Sequence, residues 1–321
     1  MARGRDRDMK ALACSPGATE FSKLPQEFHY RGEPNAWVRA TRPGERLHSF
    51  LEAPCFDADG RLWLVDVPYG RIFSLSATGD WRLELQYDGE PHGLARLPDG
   101  RFVISDYRKG LLTYDAHRGE LAILCDRVNT ENFRGLSDLT IGAGGDIWFT
   151  DPGRSSLSDP TGRLFRLRAG HDQPELVLSD IPYPNGVAIA PDGLYLYLAV
   201  TRANAIWRLR IDGSDRRPMT GLFVQLSGGV GPDGVAVDAD GRLYVAQAQA
   251  GRVAIFDALG DPVMRLQTPG GLWTTAVAVH EPTRTLFILE AQQGAVYRAN
   301  LADLYSTDRS TDIGGQHGHQ R

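Results

Sequence analysis

The sequence has little cysteine and no long apolar run, and each absence excludes a class of protein. Its 321 residues contain three cysteines, Cys14, Cys55 and Cys125, which are too few and too widely spaced for a disulfide framework or a zinc cluster. No apolar run approaches the roughly 18 to 20 residues of a membrane-spanning helix. We therefore expect a cytoplasmic protein with reduced thiols and no membrane partner.

Positive charge is not in excess either. The chain has 35 Lys and Arg residues against 40 Asp and Glu residues, which leaves a formal net charge of −5. Sequence-independent nucleic-acid binding needs clustered cations that displace counterions, so we expect no nucleic-acid partner. Hydrophobic residues make up 42% of the chain, which is enough for a globular core. The 36 glycines and 19 prolines favour many turns over long helices.

An internal repeat predicts the architecture. Six segments share an apolar run, a turn and a second apolar run, and five of them keep a turn glycine, at 60, 100, 145, 193 and 241. An Asp-Gly pair between two β-rich runs is a hairpin signal, and each unit has room for four strands. Six such units with a period of about 45 residues predict an all-β fold, a six-bladed β-propeller.

The repeat also sets the expected domain boundaries. We expect a single propeller domain over residues 21–305, with a disordered N-terminal segment at 1–20 and a disordered C-terminal tail at 306–321. The stretch from Trp37 to Ser49 is interpreted as strands that close the ring by joining the last blade. That blade would take its own inner strands from Val277 to Asn300. A monomer or small homo-oligomer is expected.

Six polar residues occupy equivalent positions in the repeat. Five lie eight residues before a turn glycine, and the sixth is placed by aligning the apolar runs. The first strand of a propeller blade lines the central channel, so these side chains should converge on the axis. We call this set the axial ring; its members are Glu52, His92, Ser137, Asn185, Asp233 and Thr275.

The axial ring predicts a metal-binding channel. Hard cations such as Ca²⁺ take about six to eight oxygen ligands. Glu52 and Asp233 would neutralise two positive charges, while Asn185 and Ser137 would supply further oxygens. We expect one divalent cation, with Ca²⁺ as the first choice and Mg²⁺, Mn²⁺ or Zn²⁺ as alternatives. The competing interpretation is that these residues only satisfy backbone groups at the channel mouth, but unpaired converging carboxylates repel one another.

The role of His92 is open at this stage. It is a single histidine among oxygen donors, and a soft-metal site is disfavoured because no cysteine or second histidine lies in the ring. We interpret His92 as a substrate contact or proton carrier, with a channel-lining role and a ligand role as alternatives.

Four motifs carry a resemblance to a known family. Glu52-Ala-Pro, Trp148-Phe-Thr-Asp-Pro, Pro184-Asn-Gly-Val-Ala and Pro232-Asp-Gly-Val-Ala occur in order on separate units. Over about residues 45 to 303, the chain resembles the gluconolactonase, regucalcin and luciferin-regenerating enzyme family. The resemblance implies a six-bladed propeller with one divalent metal in its channel and hydrolysis of sugar lactones and other lactones. It also implies that Glu52, Asn185 and Asp233 are metal ligands.

Two positions depart from the family pattern. Leu136-Ser137-Asp138 stands where the family usually has Pro-Asn-Asp, which leaves the third-blade ligand and the sugar preference open. An arginine that helps to bind substrate in sugar lactonases has no clear match, although Arg134 lies nearby and out of register.

The function favoured is that of a metal-dependent lactonase, a carboxylic ester hydrolase acting on a sugar lactone or a related small lactone. The cation would polarise the carbonyl group for attack by water. Asp233, Asp138 or His92 would take the proton, or Asp233 would attack directly. The candidate substrate-binding residues are His92, Ser137, Arg134 and Thr275.

Two alternatives stay open. One is hydrolysis of an organophosphate-type substrate at the same site, since relatives in the family hydrolyse organophosphate fluoridates. The other is a non-catalytic ligand-binding propeller with a structural cation. An open coordination position beside a proton acceptor would favour an enzyme over a binding protein.

Overall fold

Six β-sheets arranged as propeller blades dominate the computed structural model, which describes residues 14–15, 17–211 and 218–306. Within each of blades 1 to 5, four strands consecutive in the chain pair antiparallel. The first strands contact one another around the ring: that of blade 6 contacts that of blade 1, and blade 1 contacts blade 2. The predicted all-β, six-bladed architecture is confirmed.

Blades 1 to 3 come from the first half of the chain. The strands of blade 1 are Leu51–Phe56, Leu62–Asp66, Arg71–Leu75 and Trp81–Gln86. Those of blade 2 are Pro91–Arg96, Phe102–Asp106, Gly110–Asp115 and Glu120–Cys125. A small hairpin, Arg127–Val128 and Glu131–Asn132, precedes blade 3, whose strands are Leu139–Ile141, Ile147–Asp151, Gly162–Leu167 and Glu175–Ile181.

Blades 4 to 6 follow the same order. The strands of blade 4 are Pro184–Ile189, Tyr195–Val200, Ala205–Arg210 and Thr220–Gln225. Those of blade 5 are Gly231–Val237, Leu243–Ala248, Arg252–Phe256 and Pro262–Gln267, with Cys14–Ser15 added in parallel at the edge. Blade 6 takes Thr274–His280, Thr285–Glu290 and Ala295–Asn300 from the end of the chain.

The ring is closed by a strand other than the expected one. Thr19–Lys23 pairs antiparallel with Ala295–Asn300 and becomes the outermost strand of blade 6. The interpretation of Trp37 to Ser49 as strands is wrong, because this stretch contains the helix Ala36–Thr41. Asn35 caps that helix, and its Oδ1 accepts a hydrogen bond from the backbone N–H of Val38 at 3.0 Å. The apolar residues that suggested a strand instead pack one face of the helix into the core.

The predicted domain boundary at residue 21 falls inside the closing strand. The expectations for residues 1–13, 16 and 307–321 lie outside the described residues. At the other end, the helix Leu301–Ser306 follows the last strand. Four short 3₁₀ helices, Gln26–Phe28, Val67–Tyr69, Thr201–Ala203 and Glu281–Thr283, complete the helical structure of the described ranges. None of these helices has the length and apolar character needed to cross a membrane.

The repeated turns place the axial ring. All five turn glycines adopt a positive φ, between 70° and 94°, which a hairpin of this kind requires. In the sixth unit Arg284, at φ 49°, takes the left-handed position after Glu281–Thr283. The turns occur at the same register in each blade. The residues eight positions before the turn glycines therefore lie together at the end of the channel opposite to the turns.

Candidate active site at the channel mouth

The axial ring forms as the repeat predicts. Five of its six members lie in the first strands of their blades, and Ser137 lies two residues before the shortened first strand of blade 3. All six line one axial cavity of about 340 Å³. Five of them, all except Thr275, also line a second cavity of about 400 Å³ on the mouth side. The ring therefore separates an inner channel from an outer pocket.

Small residues let the inner strands approach closely enough for the ring to form. A glycine follows His92, Asn185 and Asp233 in the sequence. A Cβ atom on Gly186 would lie 2.2 Å from the carbonyl oxygen of Asp233, in the neighbouring blade. The Asn-Gly and Asp-Gly pairs therefore combine an axial polar side chain with close packing of the next blade.

Hydrogen bonds join the axial residues across blades. Ser137 Oγ donates to Asn185 Oδ1 at 2.8 Å, and Asn185 Nδ2 donates to Asp233 Oδ1 at 2.7 Å. His92 Nδ1 lies 2.8 Å from Glu52 Oε2. The hydroxyl group of Thr275 donates to the carbonyl oxygen of Leu51 at 2.7 Å, so Thr275 holds blade 6 to blade 1.

The electrostatics of the ring are those of converging carboxylates. Burial, together with the carboxylate of Glu52, raises the pKa of Asp233 well above its ordinary value. Burial alone would lower the pKa of His92, but the carboxylates of Glu52, Glu90 and Asp106 together outweigh it and the pKa is raised. His92 Nε2 is buried and has no hydrogen-bond partner within the described ranges. No lysine or arginine is among the residues that line the axial cavity.

Asp138 lies beside the ring but is tied to the backbone. Its Oδ2 accepts from the N–H of Val187 at 3.0 Å, and its Oδ1 accepts from the N–H of Leu139 at 2.8 Å. Burial raises the pKa of Asp138 to about 7 despite these two donors. The carboxylate also bridges blade 3 to blade 4, in the position that glycine fills after other axial residues.

Arg134 is the predicted site residue that the structure does not bring to the channel. Its backbone N–H donates to Asp151, and its guanidinium group contacts the carbonyl oxygen of Thr161 and, at 3.5 Å, the carboxylate of Glu131. It lines neither the axial cavity nor the mouth pocket. Its proposed substrate contact therefore has no support in this geometry.

A second set of acids supports the ring and was missed by the sequence reasoning. Four buried carboxylates end the second strands of their blades, and each accepts a backbone N–H from the segment that leads into the first strand of the same blade. We call them the collar carboxylates: Asp66, Asp106, Asp151 and Glu290. Their N–H donors are Phe50 at 2.6 Å, Glu90 at 2.8 Å, Gly135 at 2.9 Å and Trp273 at 2.9 Å.

The sequence carried a signal for the collar. Asp66, Asp106 and Asp151 each lie six residues after a turn glycine, as does Gln247 in blade 5. Unlike the axial carboxylates, two of them bind arginine: Arg71 Nε donates to Asp66 at 2.7 Å, and Arg163 Nε donates to Asp151 at 2.9 Å. The collar carboxylates thus fix the loops that lead into the strands of the axial ring.

A family model matches the chain over residues 50–292, and its description is SMP-30/Gluconolactonase/LRE-like region. The chain belongs to this family. Among curated proteins it is similar to Lactonase drp35 of Staphylococcus haemolyticus, with 26% identity over 245 residues that cover 73% of each chain. Lactonase drp35 of Staphylococcus epidermidis is 28% identical over 244 residues, again 73% of each chain.

Solved structures of the family share the fold. A gluconolactonase from Xanthomonas campestris superposes with a TM-score of 0.71 at 22% identity, over 90% of this chain and 96% of that one. Regucalcin from Agrobacterium tumefaciens, described as a calcium-binding protein, gives a TM-score of 0.68 at 22% identity, over 79% and 90% of the two chains. At these identities the likeness shows the six-bladed propeller of the family.

Proposed function

We propose that this family member is a metal-dependent lactonase. The observation that carries the proposal is the convergence of Glu52, Asn185 and Asp233, from three separate blades, on the boundary between two open cavities. The curated relatives are named as lactonases, and one structural neighbour is named as a gluconolactonase. A lactone is the substrate class that agrees both with the names of these relatives and with a site built from oxygen donors.

The chemistry of the donor set fits a hard divalent cation. Glu52 and Asp233 bring two carboxylates together with no lysine or arginine lining the axial cavity, and the Glu52 carboxylate disfavours the ionisation of Asp233. Among the described residues, no group of three or more His, Cys, Asp or Glu side chains has a metal-binding arrangement. Further protein oxygens would come from Asn185 and Ser137, and an all-oxygen set suits Ca²⁺ better than Zn²⁺.

Each residue of the site then has a distinct role. A bound cation would supply Lewis-acid polarisation of the lactone carbonyl. Asp233 would help to hold the cation, and it would take the proton of the attacking water or attack the carbonyl carbon itself. His92 contacts the Glu52 carboxylate through Nδ1, and its buried Nε2 has no hydrogen-bond partner among the described residues. Asp138 is the less suitable base, because both of its oxygens already accept backbone N–H groups.

Hydrolysis assays with and without EDTA test the proposal. A panel of an aldonolactone, an aryl lactone and a phosphotriester is offered to the purified protein, whose metal content is measured. We expect lactone hydrolysis that EDTA abolishes and added divalent cations restore. Faster hydrolysis of the phosphotriester would favour the organophosphate alternative. The absence of any turnover at saturating, verified metal occupancy would leave only the ligand-binding propeller.

Several finer expectations belong to this proposal. Ca²⁺ as the native cation, a cytoplasmic location, and a monomer or small homo-oligomer stay predictions. The metal can be identified by elemental analysis of protein purified without added metal. The oligomeric state can be measured by light scattering.

A further inference from the structure

One residue on the wall of the outer pocket has a backbone conformation that its side chain disfavours. Gln249 adopts φ 58°, in the left-handed region, and lines the outer pocket together with Asp233 of the same blade. Outside glycine this conformation is uncommon, and asparagine, aspartate and histidine are the residues enriched in it. Glutamine at this position therefore costs free energy that a glycine would not.

The repeat shows that the same turn can be built without this strain. In five blades a residue with a positive φ stands at or directly before the start of the third strand: Gly70, Gly110, Asn204, Gly251 and Gly294. Two residues earlier, all within the described ranges, lie Pro68, Arg108, Arg202, Gln249 and Gln292. Of this second set only Gln249 has a positive φ. The strain is thus a property of blade 5 and not of the propeller turn.

Neighbouring contacts explain how the conformation of Gln249 is held. The second strand of blade 5 extends to Ala248, whose carbonyl oxygen accepts the N–H of Val230 at 2.9 Å. Ala248 also forms an isolated β-bridge with Trp273, in the segment that leads into blade 6. The chain then reverses within a short turn that ends at Gly251. A glycine at position 249 would satisfy the same geometry, so these contacts explain the conformation but not the presence of glutamine.

The side chain of Gln249 adds no polar contact that stabilises the fold. It is exposed, and it forms no hydrogen bond with the described residues. Gln292, at the equivalent position of blade 6, differs in each respect that matters here. Its φ is not positive, its Oε1 accepts the N–H of Leu272 at 3.1 Å, and it lines neither the axial cavity nor the outer pocket.

The position of Gln249 suits a contact with substrate. Ala248 lies opposite Gly231 in the antiparallel pair, so Gln249 emerges beside the segment that leads to Asp233. A primary amide has N–H donors and a carbonyl acceptor, and a hydroxyl group can pair with either. A lactone whose carbonyl group lies at the axial ring would bring its ring substituents to this wall of the outer pocket.

We infer that Gln249 is a substrate-binding residue, kept in a strained conformation because its amide hydrogen-bonds a hydroxyl group on the lactone. The inference rests on the proposed lactonase function and names a specificity-determining residue for it. Strain that persists at the wall of a binding pocket, although glycine would relieve it, is expected where function and stability make opposite demands on one position.

Two glycine substitutions at equivalent positions test the inference. Gln249→Gly relieves the strain, so its urea midpoint of unfolding should equal or exceed that of the wild type, whereas Gln292→Gly should lower the midpoint. Activity is compared on a hydroxylated six-membered lactone and its unsubstituted parent at saturating Ca²⁺. The ratio of kcat/KM for the hydroxylated lactone to that for the parent should fall about three- to tenfold in Gln249→Gly, through KM, as expected for one hydrogen bond between uncharged groups. Gln292→Gly should leave the ratio unchanged.

Gln249→Ala separates the amide from the strain. It should lose the same part of the ratio without any gain in the urea midpoint, because alanine keeps a Cβ atom. An unchanged ratio in both folded Gln249 variants would overturn the inference, and so would an equal fall in Gln292→Gly. A lower midpoint for Gln249→Gly than for Gln249→Ala would also overturn it.

A binding measurement keeps this inference distinct from the proposed function. If no lactone is hydrolysed, the proposed function fails. Titration calorimetry of wild-type and Gln249→Ala protein with the hydroxylated lactam in Ca²⁺ then tests the contact directly. Binding that is about three- to tenfold weaker in the variant would support the contact. Equal binding by the two proteins, or no binding by either, would overturn it.

Discussion

The axial ring and the collar place carboxylates from the same repeat at the same end of the propeller, yet in opposite surroundings. Asp66 pairs in register with Leu51, one residue from Glu52, so the two carboxylates belong to adjacent strands of one blade. Asp66 is fully buried and receives the N–H of Phe50 and the guanidinium group of Arg71. Among the described residues, Asp233 receives only the amide of Asn185, and it faces the carboxylate of Glu52.

The collar carboxylates and the axial carboxylates differ in their hydrogen-bond and ionic partners and not in residue type. A buried carboxylate that accepts several N–H groups holds two chain segments together and contributes to a fixed backbone. A buried carboxylate that faces another carboxylate is destabilised in its charged form, and either a proton or a cation relieves the repulsion. The collar therefore stabilises the scaffold, while the axial ring contains a repulsion that the proposed cation would relieve.

The largest expected effect is on the rate of hydrolysis. Asp233→Asn and Glu52→Gln each remove one negative charge from the proposed cation site and keep an oxygen there. If Asp233 also takes a proton or attacks, its variant should stay slower by roughly 10² to 10⁴-fold at saturating metal. Glu52→Gln should recover once metal is raised to saturation. The measurement is single-turnover lactone hydrolysis with the metal occupancy determined directly.

Full recovery of Asp233→Asn would limit Asp233 to a ligand role and would turn attention to His92 and Asp138. Ser137→Ala serves as the matched control, because a neutral hydroxyl group is a weak ligand. It should mainly lower metal affinity or alter substrate choice.

The second expected effect is on the free energy of unfolding, and it distinguishes the collar carboxylates from the axial carboxylates. Asp106 accepts backbone N–H groups from Glu90, Arg108 and Lys109 and the hydroxyl group of Tyr87, at 2.7 to 2.9 Å. Asp106→Asn puts an amide N–H₂ group among donors and should lower the free energy of unfolding by about 2–4 kcal/mol. Asp233→Asn in EDTA should lower it little or raise it, because a repulsion is removed. Urea unfolding measures both changes, and Asp99→Asn, at an exposed ion pair, is the control.

Equal destabilisation by Asp106→Asn and Asp233→Asn in EDTA would contradict the distinction between the collar and the axial ring. It would mean that the axial carboxylates are as well compensated without metal as the collar carboxylates are.

The sequence predicted the axial ring better than the collar for a physical reason. The period of the repeat fixes which residues reach the axis, so Glu52, Asn185 and Asp233 could be assigned by counting from the turn glycines. The role of Asp66 depends on Arg71 and on the N–H of Phe50, and partners of this kind are not visible in a residue pattern. The closing strand was missed because Thr19–Lys23 pairs with a strand at the far end of the chain.

The third effect is stabilisation by metal. Binding to the folded state alone adds RT ln(1 + [L]/Kd), about 2.7 kcal/mol at one hundred times Kd. Wild-type protein and Asp106→Asn should gain the same increment from Ca²⁺, since Asp106 is not part of the proposed cation site. Glu52→Gln and Asp233→Asn should gain much less at the same concentration. Unfolding in Ca²⁺ and in EDTA gives the increments, and identical wild-type curves at neutral pH would remove the claim.

The smallest effect is a pH dependence that belongs to the collar and that metal should leave untouched. Burial raises the pKa of Asp66 to about 6, against the pull of Arg71 and the N–H of Phe50. A folded-state pKa above the unfolded value means that the folded protein holds this proton more tightly, so the contribution is complete below about pH 4 and is lost as pH rises through 6. Between pH 5 and 7 the loss is about 1 kcal/mol, since one pKa unit corresponds to about 1.4 kcal/mol.

Asp66→Asn should flatten the dependence of the unfolding free energy on pH by that amount in Ca²⁺ and in EDTA alike, because an amide does not titrate. Asp99→Asn should leave it unchanged, because hydrogen bonds from Arg101 lower the pKa of Asp99 and place its titration below this range. A slope difference that appears only in EDTA would show that Asp66 responds to the metal, and the collar and the axial ring would then be one coupled site.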